Sequence, residues 1–332
     1  MVSEHLLEVK NLHIHYATDE GVVKALNGAS IAIDEGKTLG LVGETGAGKT
    51  TLARGILRLV PDPPGKIIDG EVLFDGRDLL KISEEEMRTV RGRDISMIFQ
   101  DPMTSLNPVL TVGDQILEVL VTHNRTLPHD EAKRKAGEML EMVGIPRRRY
   151  DAYPHQFSGG MKQRVVIAIA LACKPRLLIA DEPTTALDVT IQAQILEMIH
   201  QLKKQNNTSM LLITHDLGVV AQNCDDVAIV YTGEIVEVGN IKDVYHEKLH
   251  PYTQGLFGSI PSLSSKERRL HAIDGMMPDP TKLPEGCKFY ERCPFAEERC
   301  RRELPELVEF KPGHKVRCFR YYGKGEISDA RR

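Results

Sequence analysis

The chain has 332 residues, 41% hydrophobic and 27% charged, which is ample for a sizeable core in a protein of one or two domains. A net charge of −4 argues against a broad nucleic-acid-binding face, which needs a basic surface. The longest apolar stretch, Val165–Cys173, is too short to cross a bilayer, and Glu4, Glu8 and Lys10 near the start are unlike a secretory signal, so any membrane role is expected to come through partners.

In chain order, residues 5–42 read as alternating strands with turns at Glu20-Gly21 and Asp34-Glu-Gly36. The apolar strand Thr38–Val42 runs into Gly43-Glu-Thr-Gly-Ala-Gly-Lys-Thr50, the pattern G-x-x-x-x-G-K-[ST]. Gly43, Gly46 and Gly48 let the backbone wrap a phosphate and turn its N–H groups inward. Lys49 supplies a point charge for the terminal phosphates and Thr50 a hydroxyl for a magnesium ion. Leu52, Ile56 and Leu59 recur at helical spacing, so a helix is predicted from near Lys49, its positive dipole end facing the phosphates.

Between Leu79 and Pro175 the composition turns helical and charged. Within Gln156-Phe-Ser-Gly-Gly-Met-Lys-Gln-Arg164, Ser158-Gly-Gly160 opens a long helix whose apolar face includes Val165, Ile169 and Cys173. Locally the serine reads equally as a helix N-cap or as part of a second anion site. After Pro175 short apolar strands alternate with helices, as in a parallel α/β sheet. One of them, Arg176-Leu-Leu-Ile-Ala-Asp-Glu182, ends in two carboxylates: Asp181 suits the surroundings of a magnesium ion, and Glu182 can orient or deprotonate an attacking water. The strand Met210–Thr214 leads to His215, whose imidazole can hydrogen-bond a γ-phosphate. Near His246 the alternation stops and a Pro-, Arg- and Cys-rich tail begins, placing a boundary near residue 245.

Of six cysteines, Cys173 and Cys224 fall in apolar or helical stretches and read as inert core thiols. The other four crowd the tail as Cys287-x5-Cys293-x6-Cys300-x17-Cys318. In a reducing cytosol structural disulfides are rare, whereas four thiolates suit zinc or an iron–sulfur cluster. Structural zinc favours C-x2-C pairs, which are missing here.

The ordered set of phosphate loop, Gln100, Ser158-Gly-Gly160, Asp181-Glu182, Ala186-Leu-Asp188 and His215 resembles the ATPase cassette of ABC transporters over roughly residues 5–245. The resemblance implies an α/β P-loop NTPase fold with an antiparallel β subdomain and a helical subdomain over about residues 98–175, all within a nucleotide-binding domain 1–245. It implies that Tyr16 stacks on adenine and that Gly43, Glu44, Thr45, Gly46, Ala47, Gly48, Lys49, Thr50 and Thr51 form the phosphate loop. Thr50, Gln100 and Asp181 would serve Mg²⁺, with Gln100 linking the ion to a membrane partner. Ser158, Gly159 and Gly160 would face the ATP of a second cassette, with Glu182 polarising the water and His215 holding the γ-phosphate. Phe157 and Met161 replace the commoner Leu and Gln of the signature, and Thr45 a commoner Ser.

A narrower likeness rests on Phe99-Gln-Asp-Pro-Met-Thr-Ser-Leu-Asn-Pro108, Phe157-Ser-Gly-Gly-Met161, and His250-Pro-Tyr-Thr253 with the cysteine tail. Together these are similar to the ATPase subunits of bacterial dipeptide/oligopeptide importers, a group with relatives that move nickel or glutathione. The likeness implies a second ABC ATPase subunit, two integral membrane permeases, an extracytoplasmic substrate-binding protein, no nucleic-acid partner, and a peripheral place on the cytoplasmic face of the membrane. It makes residues 246–332 a small Cys-rich extension and associates Cys287, Cys293, Cys300 and Cys318 with a [4Fe–4S] cluster, Zn²⁺ being the alternative. A soluble ABC ATPase of nucleic-acid or ribosome work usually carries two cassettes or a long coiled-coil insertion, neither of which is read here, and one of iron–sulfur assembly would leave residues 99–108 and 250–253 unexplained.

Overall fold

The computed structural model describes residues 5–185, 187–259 and 273–323, without the side chains of Pro102 and Met103. Glu4 and Ala186, which the sequence reading used, lie outside the described residues. The chain divides into two compact units, one of residues 1–32, 39–80 and 214–332, the other of residues 33–38 and 81–213.

In the first unit, an antiparallel sheet takes the order Gly21–Ile33, Leu7–Thr18, Gly65–Phe74, Arg77–Asp78. Leu7, Val9, Leu12 and Ile14 are all buried although the step from Val9 to Leu12 breaks strict alternation. The register shifts between Lys10 and His13, and Asn11 there takes φ 47°, a left-handed conformation that a short amide side chain tolerates. The bulge returns Leu12 and Ile14 to the inward face. Gly70 lies across from it at φ 112°, where a Cβ would stand 2.7 Å from the Asn11 carbonyl oxygen.

The same unit carries Thr38–Val42 in parallel with Asp226–Tyr231, Leu39 facing Asp226 and Val42 facing Ile229. Thr232 and Gly233, at φ 45° and 78°, turn that strand back into antiparallel Glu234–Asn240. A hairpin from the cysteine tail, Val308–Lys311 and His314–Val316, then pairs on, with Glu237 facing Val316. Tyr252 and Phe289 from beyond residue 246 share one buried cluster with Val42, Val227, Ile229 and Tyr231. The tail strands therefore extend the sheet, and its aromatics complete the core.

The second unit is built on parallel strands Ile95–Ile98, Leu177–Asp181 and Ser209–Ile213, every residue of which is buried. Parallel strands covered on both faces read as nearly continuous apolar runs, here interrupted only by Ser96, Asp181 and Ser209. Helices Val112–His123, His129–Met142 and Gly159–Leu171 pack on one another. Thr111, Ser158 and Asp188 cap their helices, each side chain accepting a backbone N–H three residues on.

Three expectations are corrected. The helix after the phosphate loop covers Lys49–Ile56 and stops short of Leu59, which is 37% exposed. Arg58 takes φ 51° and the Leu59 N–H donates to the Arg54 carbonyl at 2.8 Å, a left-handed closure that ends the helix. The helix Gly159–Leu171 has no single apolar face: Val165–Ala168 are all buried, Ile169 is half-buried, and Cys173 lies past its end. Cys173 and Cys224 are half-buried, and Cys173 lines a cavity of about 500 Å³ with Arg93, His123 and Lys135. Among the described residues no helix is long and apolar enough to cross a membrane.

Candidate active site

The phosphate loop of the first unit is held by backbone geometry. Gly46 and Gly48 take φ 85° and 102°, which L side chains adopt only with strain. A Cβ on Gly43 would stand 2.3 Å from the Val230 carbonyl oxygen, and one on Gly48 2.6 Å from that of Ala25. Neither position accepts a side chain. The Ala47 N–H donates back to the Glu44 carbonyl, and the Gly233 N–H to that of Ala47. Thr45 and Gly46 are exposed at the loop's tip, while Thr50 and Thr51 are half-buried in the first turn of the helix. That helix opens directly on the loop, with no side-chain cap at its start.

Lys49 is 7% exposed, and its Nζ donates to the Gly43 and Glu44 carbonyl oxygens at 2.8 and 3.0 Å. The ammonium thus sits on the loop it serves, where a polyphosphate would meet it. In the same unit Tyr16 pairs across from Gly65, and a Cβ there would come within 2.7 Å of the tyrosine ring. His215 is exposed just after Thr214, whose N–H donates to the Leu41 carbonyl beside the phosphate-loop strand.

The second unit holds the carboxylates. Asp181 ends its strand buried, at 1% exposure. Glu182 follows at φ 47°, a left-handed conformation rare for a non-glycine residue, pinned by its N–H on the Ile213 carbonyl at 2.9 Å. Its Oε2 accepts from Gln100 Nε2 and from Thr185 Oγ1, both at 2.9 Å. Gln100 and Glu182, 82 positions apart, are thus brought together, and Thr185 is a partner that sequence reasoning missed. Donation through Nε2 leaves the side-chain carbonyl oxygen of Gln100 as its acceptor atom. The Gln100 amide oxygen and the Asp181 carboxylate are oxygen donors of the hard type that Mg²⁺ takes, as is the Thr50 hydroxyl of the first unit taken by itself.

Ser158 is exposed, and its Oγ accepts the Met161 N–H at 3.4 Å, so the serine caps its helix. Phe157 is buried under the Arg149 guanidinium, 4.6 Å from the ring centroid, which gives the aromatic a packing reason to stand in place of the commoner leucine. Gly160 lets the helix start lie close to Ile191, where a Cβ would come within 2.9 Å.

Cys287, Cys293, Cys300 and Cys318 line one cavity of about 20 Å³ together with Phe289, Phe295 and Phe319. The Phe289, Phe295 and Arg320 N–H groups donate to Cys287, Cys293 and Cys318. The expectation of a metal-ready cluster needs correction, because no group of three or more His, Cys, Asp or Glu among the described residues is arranged to hold a metal ion. Burial pushes the Cys287 thiol up to about 12 and raises Cys293 and Cys318 as well. Neutral thiols pack as small apolar groups, and only a bound metal offsets the cost of the thiolate. The donor set is that of a thiolate-held centre; the closed cavity is not yet its shape.

Residues 26–185 match the family described as ABC transporter, and residues 236–300 match the C-terminal region of oligopeptide/dipeptide transporters. The oligopeptide transport ATP-binding protein AppD of Bacillus subtilis is 49% identical over 96% of this chain and 98% of its own length. OppD of Escherichia coli is 46% identical over 96% of this chain and 94% of its length. The chain belongs to the ABC transporter family, among its oligopeptide/dipeptide ATP-binding proteins. A solved ATP-binding cassette, MJ0796, dimeric and bound to ADP and Pi in a post-hydrolysis state, matches 71% of this chain and 98% of its own at TM-score 0.64 and 28% identity. The fold is therefore the ABC ATPase cassette, and the protein is an ABC ATPase. Iron–sulfur assembly and nucleic-acid or ribosome work gain no support from these relatives.

Proposed function

We propose that this ATPase powers uptake of dipeptides or oligopeptides across the cytoplasmic membrane, as a peripheral subunit on the cytoplasmic face beside two permease subunits and fed by an extracytoplasmic binding protein. The observation that carries this reading is the near-full-length likeness to AppD, which spans the cassette and continues through the peptide-transporter C-terminal region. Residues 1–245 act as the cassette, with a helical subdomain over about 98–175, and residues 246–332 as the importer-type extension; the C-terminal match starting at residue 236 supports that division.

Phosphoryl transfer to water depends on position and charge compensation. Lys49 and the amides of Gly43–Thr51 hold the β- and γ-phosphates, and Tyr16 offers its ring to adenine. Thr50, Gln100 and Asp181 are the residues that would hold Mg²⁺, which would supply charge neutralisation on the phosphates. Glu182 aligns and polarises the attacking water, with Gln100 and Thr185 fixing its carboxylate until nucleotide arrives. His215 bonds the γ-phosphate. Ser158, Gly159 and Gly160, at a helix start whose first two positions are exposed, complete the ATP site of a second cassette, identical or homologous. Two cassettes closing on two ATPs and parting after hydrolysis would gate the permeases, because ATP binds the closed state better. Cys287, Cys293, Cys300 and Cys318, which line one cavity, are the residues that would hold a [4Fe–4S] cluster or, as the alternative, Zn²⁺.

Purification of the chain with its membrane partners, and extraction of ligand from the binding protein, tests the assignment. Peptides in the extract and peptide-stimulated ATP turnover are expected. Bound nickel or glutathione in place of peptide would redirect the cargo, and absence of any membrane partner would remove the transport role. Iron and acid-labile sulfide in the purified protein, with visible absorption, test the cluster.

A further inference from the structure

One side chain of the extension reaches into the phosphate loop. Arg292 stands one residue before Cys293, and its guanidinium grips the Glu44 carboxylate with two prongs, Nη1 to Oε2 at 3.1 Å and Nη2 to Oε1 at 3.2 Å. Its Nε donates to the Asp274 carbonyl at 3.0 Å, and Nη1 also lies 3.4 Å from the Tyr231 hydroxyl. The Tyr231 and Phe289 rings flank the cation, with centroids 5.8 and 5.9 Å away. The Arg292 side chain is 7% exposed, so this is a fixed, shielded fork rather than a loose surface pair.

Glu44 is the second residue of the loop, and its other polar groups are engaged too. Its N–H donates to the Tyr252 hydroxyl at 2.9 Å, and its carbonyl accepts from Lys49 Nζ at 3.0 Å. Tyr252 is wholly buried in the core that Phe289 completes. Backbone and side chain of Glu44 are therefore both anchored from beyond residue 246.

A carboxylate on a phosphate-binding loop opposes an incoming polyphosphate unless its charge is cancelled. Arg292 cancels it with the planar geometry that suits a carboxylate, and at the same stroke fixes the loop segment whose carbonyls seat Lys49. We infer that Arg292 is a positioning residue for the nucleotide phosphates: it neutralises Glu44 and holds the loop in its phosphate-ready shape, which makes the Cys-rich extension a working part of the ATP site. The inference rests on the reading that the loop binds ATP.

Titration of the full-length chain with MgATP, alongside KM and kcat of the assembled transporter, tests it. Arg292→Ala is expected to weaken MgATP binding roughly tenfold, an effect of about 1.4 kcal/mol, and to raise KM in step while kcat changes about twofold at most. Arg292→Lys keeps a charge but loses the fork and is expected to lose less. Adding Glu44→Gln to Arg292→Ala is expected to recover most of the lost affinity, because the uncompensated charge is gone; a merely structural role for Arg292 would not be rescued from the loop. Should Arg292→Ala fail to fold, Arg292→Lys with and without Glu44→Gln carries the same comparison. Wild-type affinity in the Arg292 variants, or a loss that Glu44→Gln leaves in place, overturns the inference. Failure of the unaltered chain to bind MgATP overturns instead the ATPase reading beneath it.

Discussion

The phosphate loop, residues 43–51, and the cysteine segment, residues 287–318, both wrap a site in largely irregular backbone, and they are held in opposite ways. The loop is set by local covalent facts: glycines at positive φ, a lysine folded onto carbonyls five and six residues back, and a helix that starts at once. The cysteine segment is set by distant partners, its strands pairing with Glu234–Asn240 and Phe289 packing on Tyr231 and Tyr252. A site of the first kind is written in eight consecutive residues; one of the second kind exists only once the sheet has formed. The two regions meet at Glu44 and Arg292.

The largest effect expected on the loop side comes from the catalytic carboxylate. Glu182→Gln should retain ATP binding while hydrolysis falls by about 10²- to 10⁴-fold, measured as phosphate release. Near-normal turnover would remove Glu182 from the mechanism. Gly43→Ala should abolish nucleotide binding, since its Cβ meets the Val230 carbonyl oxygen at 2.3 Å and backbone cannot step aside as a side chain can. Binding preserved in that variant would show that the loop is looser than its geometry indicates.

On the extension side the effects should be smaller on nucleotide and larger on metal. Cys300→Ser is expected to lose the iron content of the purified protein, while ATP binding persists because Arg292 and Tyr252 hold Glu44 through neighbouring residues. Full iron content in the variant would take Cys300 out of the ligand set.

A further difference lies in pH. His250 is wholly buried, its Nδ1 accepts the Tyr252 N–H at 3.0 Å, and burial lowers its pKa to about 4. The unfolded chain, with an ordinary histidine near 6.5, binds the proton first, so stability is full above pH 6.5 and declines as pH falls towards 4. The decline attributable to this residue is up to about 3 kcal/mol, read as a falling Tm between those pH values. His250→Asn, which can still accept at the helix start, should flatten that slope. An unchanged slope would assign the decline to other groups. The smallest effect belongs to Ser158→Ala, which removes a cap worth about 1 kcal/mol and is checked by thermal melting of the full chain.

The sequence made the loop, the Thr38–Val42 strand, the cap at Ser158 and the buried parallel strands readable because each is local: a glycine pattern, an apolar run, a serine before a helix. Leu59 misled because helical spacing continues into a residue that Arg58, in the left-handed region, has already turned away. Ile169 misled because a helix covered on nearly every side has no stripe to find. The Gln100–Glu182 hydrogen bond and the Arg292–Glu44 fork join positions 82 and 248 residues apart, and nothing in the local spelling marks either. Cysteine spacing announced a soft-ligand set but gave no measure of the burial that raises the Cys287, Cys293 and Cys318 thiols.

The most direct test of the whole account is ATP turnover by the purified chain reassembled with its permeases and binding protein in lipid vesicles, with and without oligopeptide. The account predicts magnesium-dependent hydrolysis that peptide accelerates, accompanied by peptide uptake, both lost in Glu182→Gln. Hydrolysis indifferent to peptide, with no uptake, would contradict it.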